Sequence, residues 1–289
     1  MVNVSMDKLA VEYRVMPAGY FMKWYGRLMF QRKYKVRRTE YRKLFVYQLH
    51  FRLEKGVYLH VFYQNFRETN GGLYTLRLET RPENYERFSD WLSEFRQNST
   101  NIDFVSCDVA YDVPVPLSDV FVVSKHMRRK LRLYHGTRYF GLPHQRKQDG
   151  YCRVYDKKLE LSQRHSVQVD GELTRIEMVY KPEIRIPLVD IFHHPPEQGR
   201  QYFASVIDDW TELSAKEAER IRNWQKGVDT YSRHIRESIK KKLADRALDF
   251  DRLASEQWVA LMAGPCAAIL GRDAAQMNGM HPVLQGSMG

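Results

Sequence analysis

The sequence predicts an α+β fold: two antiparallel-sheet halves with packed helices, followed by a C-terminal helical region. Three observations carry this. Short runs that alternate apolar and polar residues, bounded by Gly- and Asn-containing turns, dominate residues 1–181. A helical apolar spacing interrupts them at Tyr85, Phe88, Trp91, Leu92 and Phe95. From Tyr202 onward the pattern turns helical. Strands followed by one helix occur twice, which points to a duplication, although no repeat is visible in the sequence itself. The organisation that follows is an N-terminal α+β half with a basic surface at 1–101, a second α+β half at 102–200, a helical region at 201–270 and a small, polar, Gly-rich tail at 271–289, expected to be disordered.

In chain order, Leu9-Ala-Val11-Glu-Tyr13 alternates within residues 1–15 and predicts a first strand. Leu44–Phe51 and Val57–Phe66 read as a hairpin across Glu54-Lys55-Gly56, and Asn70-Gly71-Gly72 starts another strand, Leu73–Glu79. Pro82 opens a predicted helix over Glu83–Phe95. The second half has a strand at Phe104–Val113, a helix at Leu117–Arg132, a strand at Leu133–Tyr139 broken by Gly136, and a loop from Leu142 to Asp149. Two short strands follow, Tyr151–Lys157 and Leu173–Tyr180, joined by a long polar connection. In the first, Arg153, Tyr155 and Lys157 share a face; in the second, Arg175, Glu177 and Val179 do. Beyond them, Gln201–Leu213 places Phe203, Val206, Ile207 and Trp210 on one helical stripe. Ser214 and Glu217 form a capping box for a long helix from Ala215 through Ile221, Trp224, Val228, Tyr231 and Ile235 to Lys240-Lys241-Lys242. A short helix, Phe250–Met262, is stopped by Gly264-Pro265.

Charge bounds the partners. Lys and Arg number 46 against 35 Asp and Glu, a formal charge of +11, which suits a polyanion: nucleic acid first, a membrane surface second. A generic soluble basic protein remains the plain alternative. The excess is densest at Arg27–Lys43, where Arg32, Lys33, Lys35, Arg37 and Arg38 interleave with Tyr34 and Tyr41, and at Lys125, Arg128, Arg129, Lys130 and Arg132. Each cluster reads either as a guarded sheet edge or solvated face, or as a surface that tracks phosphates and offers aromatic rings to bases. No apolar run approaches the ~20 residues of a membrane span and no signal-peptide core opens the chain, so no membrane contact and a cytoplasmic location are expected. Three cysteines, odd in number and widely spaced, fit a reducing compartment and no structural zinc. There is no P-loop, no dinucleotide fingerprint and no serine elbow, and His193-His194 runs into Pro195-Pro196 rather than forming a His-hydrophobic-His pair.

Three motifs carry a resemblance. VSCDVAYDV at 105–113, YCRVYDKKLEL at 151–161 and LTRIEM at 173–178 occur in the order of the replication-initiation-factor (Rep_trans) family and resemble its paired-aspartate, Arg-hydrophobic-Tyr-Asp-Lys and Thr-Arg-hydrophobic-Glu motifs. That family comprises rolling-circle initiators of plasmids and filamentous phages and some relaxases. The resemblance implies a chain that binds origin DNA, as duplex and exposed single strand, and nicks one strand through a tyrosine ester, with host helicase and polymerase as partners. It leaves a homodimer open. It makes 102–200 the catalytic half, with Mg²⁺ or Mn²⁺ held by Asp108, Glu160 and Glu177, Asp112 less firmly, and with Lys157 and Arg175 on phosphate oxygens. It puts the nucleophile shortly after the last motif, at Tyr180, with Tyr202 as runner-up, although strand alternation turns Tyr180 away from Glu177. Each carboxylate reads equally as the partner of a neighbouring arginine, and Tyr180 as an ordinary strand tyrosine. The competing function is a catalytically inactive DNA-binding module of the same fold, and an RNA-binding protein stands behind it.

Overall fold

A computed structural model describes residues 1–31, 35–38, 45–65, 71–126, 129–228 and 230–271. β1 (Asn3–Pro17) leads into α1 (Ala18–Phe30), followed by β2 (Lys35–Arg38), β3 (Phe45–Glu54), β4 (Val57–Asn65), β5 (Leu73–Thr80), two short 3-10 turns and α2 (Ser89–Gln97). Then come β6 (Ile102–Val113), β7 (Val120–Ser124), β8 (Leu131–Tyr134), β9 (Thr137–Phe140), β10 (Cys152–Asp156), α3 (Lys157–His165) and β11 (Thr174–Tyr180). The chain closes with β12 (Ile186–Pro187), β13 (Tyr202–Val206), α4 (Ala215–Gln225), α5 (Arg233–Lys242) and α6 (Phe250–Leu270).

These elements form two compact units. An amino-terminal unit holds Met6–Cys107, Pro182–Pro195 and the chain from Gln257; a central unit holds Met1–Ser5, Asp108–Lys181 and Pro196–Glu256. The strand order in the amino-terminal unit is β2-β3-β4-β5-β1, and in the central unit β8-β9-β10-β11-β6. In both, the first strand lies beside the last and the others run outward in reverse order. β1 pairs with β5, β5 with β4 and β4 with β3, and β11 with β10, β10 with β9 and β9 with β8, all antiparallel, so the α+β class holds.

In the amino-terminal unit the helices cover one sheet face. Phe21, Trp24 and Leu28 of α1 recur at helical spacing and are buried, as are Trp91, Leu92 and Phe95 of α2. They meet the inward residues of β3 and β4: Trp24 stands edge-on to Trp91 at 5.3 Å and to Phe51 at 5.7 Å, and Phe21 stacks on Tyr63 at 3.9 Å. Losing any one of these rings to Ala costs about 3–5 kcal/mol. The alternate residues Gln48, His50, Tyr58, His60 and Phe62 lie on the other face and are only half-buried. In the central unit, the small sheet of β7 and β13 packs Phe121 and Val123 against Ile221 and Trp224 of α4 and Ile239 of α5.

Several expectations are corrected. Leu117–Arg132 is not a helix but a short turn and then β7, because Val120-Phe121-Val122-Val123 is a β-branched and aromatic run. The predicted helix Gln201–Leu213 is β13 and a 3-10 turn, since Tyr202–Val206 pairs with β7. The long helix from Ala215 breaks into α4 and α5 at Gly227, which has φ 88°. The polar connection after β10 holds α3, capped by Asp156, whose carboxylate accepts from the Leu159 N–H at 2.8 Å. Pro265 does not end the last helix, so α6 runs 21 residues and is long and apolar enough, by length and composition, to cross a membrane. Its buried residues Phe250, Ala254, Trp258, Met262, Cys266 and Ile269 form one stripe, and Trp258 Nε1 donates to Ile191 O at 2.8 Å, as in a helix packed on protein. The tail beyond Gly271 lies outside the described residues.

Candidate functional site

The site forms on one face of the central sheet. β10 and β11 pair Arg153 with Glu177 and Tyr155 with Arg175, and residues opposed in an antiparallel pair share a face. The neighbouring β6 brings Asp112, whose carboxylate accepts from Nε and Nη2 of Arg175, each at 2.7 Å, with both residues buried. Asp108, four residues earlier on the same strand, falls on the same face by alternation, with the fully buried Ala110 between them.

Glu177 sits at the centre. It is buried at 3% exposure, is ion-paired with the Arg153 guanidinium, and accepts a hydrogen bond from the Tyr155 hydroxyl at 3.3 Å. Arg153 keeps 41% of its side chain in solvent, so the face opens on the arginine side. Lys157 begins α3 just past Tyr155; its Nζ lies 2.5 Å from Glu160 Oε2 and 6.0 Å from the centroid of the Tyr155 ring. A buried carboxylate holding a tyrosine hydroxyl, bordered by cations, can accept the phenol proton while the cations offset charge on an anionic substrate.

The predicted residues are thus brought together in part. Glu177, Asp108, Asp112 and Arg175 share the face. Arg175 has two guanidinium nitrogens committed to Asp112, so it holds the face in shape, while Arg153 is the arginine open to solvent. Glu160 is ion-paired with Lys157 on its own helix. Tyr180 stands on the opposite strand face from Glu177, as alternation requires. Tyr202 is enclosed at 1% exposure and donates to Gly150 O at 2.5 Å; burial holds its phenol well above the ordinary tyrosine range. A phenol so placed braces the turn before β10 and has no path to a phosphate. Tyr155 lay in the quoted motif, on the same strand face as Arg153 and Lys157; what the sequence lacked was the register that sets it beside Glu177.

Of the basic positions, Arg32, Lys33 and Arg128 lie outside the described residues, and Lys35, Arg37 and Arg38 belong to β2, of which the backbone alone is described. Arg129 donates to Asp149 O at 2.6 Å and Gly150 O at 2.8 Å, which makes it a structural brace. Lys125, Lys130 and Arg132 are exposed. Lys125 and Lys130 line a cleft of about 900 Å³ in the central unit together with Arg233, Arg236 and Lys240 and the rings of Trp224 and Tyr231. Arg233 and Arg236 carry no local signal in the sequence, because the residues they join on the cleft come from the β7–β8 connection.

For a metal, the chemistry of the donor set decides. Among the described residues no group of three or more His, Cys, Asp or Glu gathers around a point. Mg²⁺ and Mn²⁺ are commonly held by one or two carboxylates, with water and substrate oxygens completing the shell. Asp108 and Glu177, on one face, fit that smaller requirement.

No family model matches the chain, and no curated protein matches it. Among solved structures it is similar to the rolling circle replication initiator protein from Geobacillus stearothermophilus, at 15% identity over 63% of this chain and 76% of that one, with a TM-score of 0.36. A likeness of that degree carries no argument about function, which rests on the geometry of the Tyr155–Glu177 face.

Proposed function

We propose that this chain is a rolling-circle replication initiator that binds origin DNA and nicks one strand through a tyrosine–phosphodiester intermediate. The observation that carries the reading is the Tyr155 hydroxyl held by the buried Glu177 carboxylate on an open, cation-bordered face. Glu177 takes the phenol proton as Tyr155 Oη bonds to phosphorus; the bond from phosphorus to one sugar oxygen breaks, and that oxygen leaves as a hydroxyl by taking a proton from solvent water. Arg153 and Lys157 meet the phosphate oxygens and offset the charge of the transition state. The ester conserves the bond energy for rejoining. Flanking duplex and exposed single strand lie on the basic cleft of Lys125, Lys130, Arg233 and Lys240. Asp108 and Glu177 would hold a Mg²⁺ or Mn²⁺, which would supply Lewis-acid polarisation of the scissile phosphate. Excess chelator is expected to stop nicking; undiminished nicking removes the ion from the proposal.

Tyr155→Phe deletes one hydroxyl, so DNA binding and folding stay while nicking of supercoiled DNA stops. Mapping the DNA-linked peptide of the unaltered chain places the adduct on Tyr155. An adduct on Tyr180 or Tyr202 keeps the reaction and overturns the residue. Binding with no adduct on any tyrosine makes the chain a DNA-binding module without catalysis.

A further inference from the structure

The amino-terminal unit carries the same face with the reactive groups exchanged. β1 has Lys8, Ala10 and Glu12 where β6 has Asp108, Ala110 and Asp112, and β5 has Arg77-Leu78-Glu79 where β11 has Arg175-Ile176-Glu177. β4 sets Phe62 opposite Arg77 and His60 opposite Glu79, as β10 sets Tyr155 opposite Arg175 and Arg153 opposite Glu177. The clamp recurs too: Arg77 Nε donates to Glu12 at 2.8 Å, as Arg175 does to Asp112. Two exchanges remove the chemistry. Phe62 has no hydroxyl to esterify, and Lys8 stands where Asp108 does, with its ammonium 3.0 Å from Glu79.

We propose that this second face binds single-stranded DNA by stacking its bases and does not cut it, an inference that rests on the reading of the central face as a DNA surface. His60 and Phe62 lie nearly parallel, 13° between planes at 6.2 Å, and His50 and Tyr58 likewise, 17° at 5.7 Å. All four are half-buried, so ring surface remains accessible on the face that the helices leave open. Arg52, exposed, pairs in register with Tyr58, and β2 continues the sheet with Lys35 opposite Arg52 and Arg37 opposite His50. Half-exposed rings with Arg52 beside them are complementary to the bases and phosphates of a single strand.

The test uses the full chain carrying Tyr155→Phe, so that cleavage plays no part, and fluorescent thymidine, abasic and uridine oligomers of equal length. The thymidine oligomer is expected to bind more tightly than the abasic one. Replacing His60 and Phe62 together with Ala should weaken it at least about tenfold while the melting temperature and the abasic affinity hold, since stacking has been removed and phosphate contacts kept. If that variant unfolds, His60→Gln with Phe62→Leu removes the rings at similar volume and is read instead. Unchanged thymidine affinity in a folded variant overturns the proposal, as does equal binding of the abasic oligomer or preference for uridine. Failure of the nicking proposal appears separately, as absence of cleavage by the unaltered chain, and leaves this measurement as it stands.

Discussion

The two sheets compare strand for strand, and around the glutamate of the last strand they differ in three side chains. Both place the first strand beside the last, and both clamp an acid of the first strand with an arginine of the last. The central unit has Tyr155, Arg153 and Asp108 around its glutamate, whereas the amino-terminal unit has Phe62, His60 and Lys8 around Glu79. The clamp is therefore the part that builds the face, and chemistry is decided by what stands next to it. The position where Lys8 sets an ammonium beside Glu79 is, in the other unit, that of Asp108, which shares a face with Glu177. The cation beside the glutamate is Lys8 in one unit and Arg153 in the other.

The largest expected effect breaks that difference directly. Glu177→Gln keeps the shape of the side chain but removes the proposed proton acceptor of Tyr155 and one of the two carboxylates proposed for the metal, so the nicking rate should fall by about 10²–10⁴ with DNA binding retained. Single-turnover cleavage of a short origin duplex measures it. A drop of less than about tenfold would show that Glu177 orders the face without taking the proton.

A smaller effect separates the turns that lead into the equivalent strands β4 and β10. Gly56 and Gly150 both have positive φ, 86° and 68°. A Cβ on Gly56 would meet nothing within 4 Å, whereas one on Gly150 would fall 1.4 Å from Gln201 Oε1 and 2.1 Å from Arg129 Nη1. Gly56→Ala should cost about 1–2 kcal/mol, the strain of a left-handed residue. Gly150→Ala should cost about 2–4 kcal/mol, because the braces from Arg129, Gln201 and Tyr202 are displaced as well. Denaturant titration of the two variants distinguishes them; equal losses would mean that the braces yield without cost.

The extent to which the sequence disclosed all this follows from the range of each signal. The β3–β4 hairpin is legible because Glu54-Lys55-Gly56 and the flanking alternation are local, and β10 and β11 are legible for the same reason. β7 was misread as a helix because the basic residues behind it extended the run, and α3 was missed although Asp156 is an ordinary helix cap. The pairing of Tyr155 with Glu177 spans a register that no local pattern encodes. The duplication escaped for a related reason. It survives at alternate residues of one face, Lys8, Ala10 and Glu12 against Asp108, Ala110 and Asp112, where only the alanine is identical, and in the short Arg-hydrophobic-Glu run shared by β5 and β11.

The smallest of the three effects concerns the clamps themselves. Asp112 is held by Arg175, whereas Glu12 is held by Arg77 and by Arg185, whose Nε lies 2.9 Å from it. Burial pushes the Glu12 carboxyl up, but the two guanidinium groups outweigh burial, and the net shift is downward from the ordinary glutamate value. A carboxyl lowered in the folded state contributes stability that is present above the unfolded value of 4.5 and is lost as pH falls through the folded one. The chain should therefore lose part of its stability on acidification below about pH 4.5, where the unfolded chain takes up a proton that the folded chain resists. Glu12→Gln has no proton to take up, so its denaturation midpoint should start lower at neutral pH, with the half-buried Arg77 and Arg185 left beside an amide, and should fall less steeply between pH 7 and about pH 3. Parallel titrations of the two proteins give the difference. Identical acid slopes would show that the amino-terminal clamp does not titrate on unfolding, and the acid sensitivity would then belong to carboxylates elsewhere in the chain.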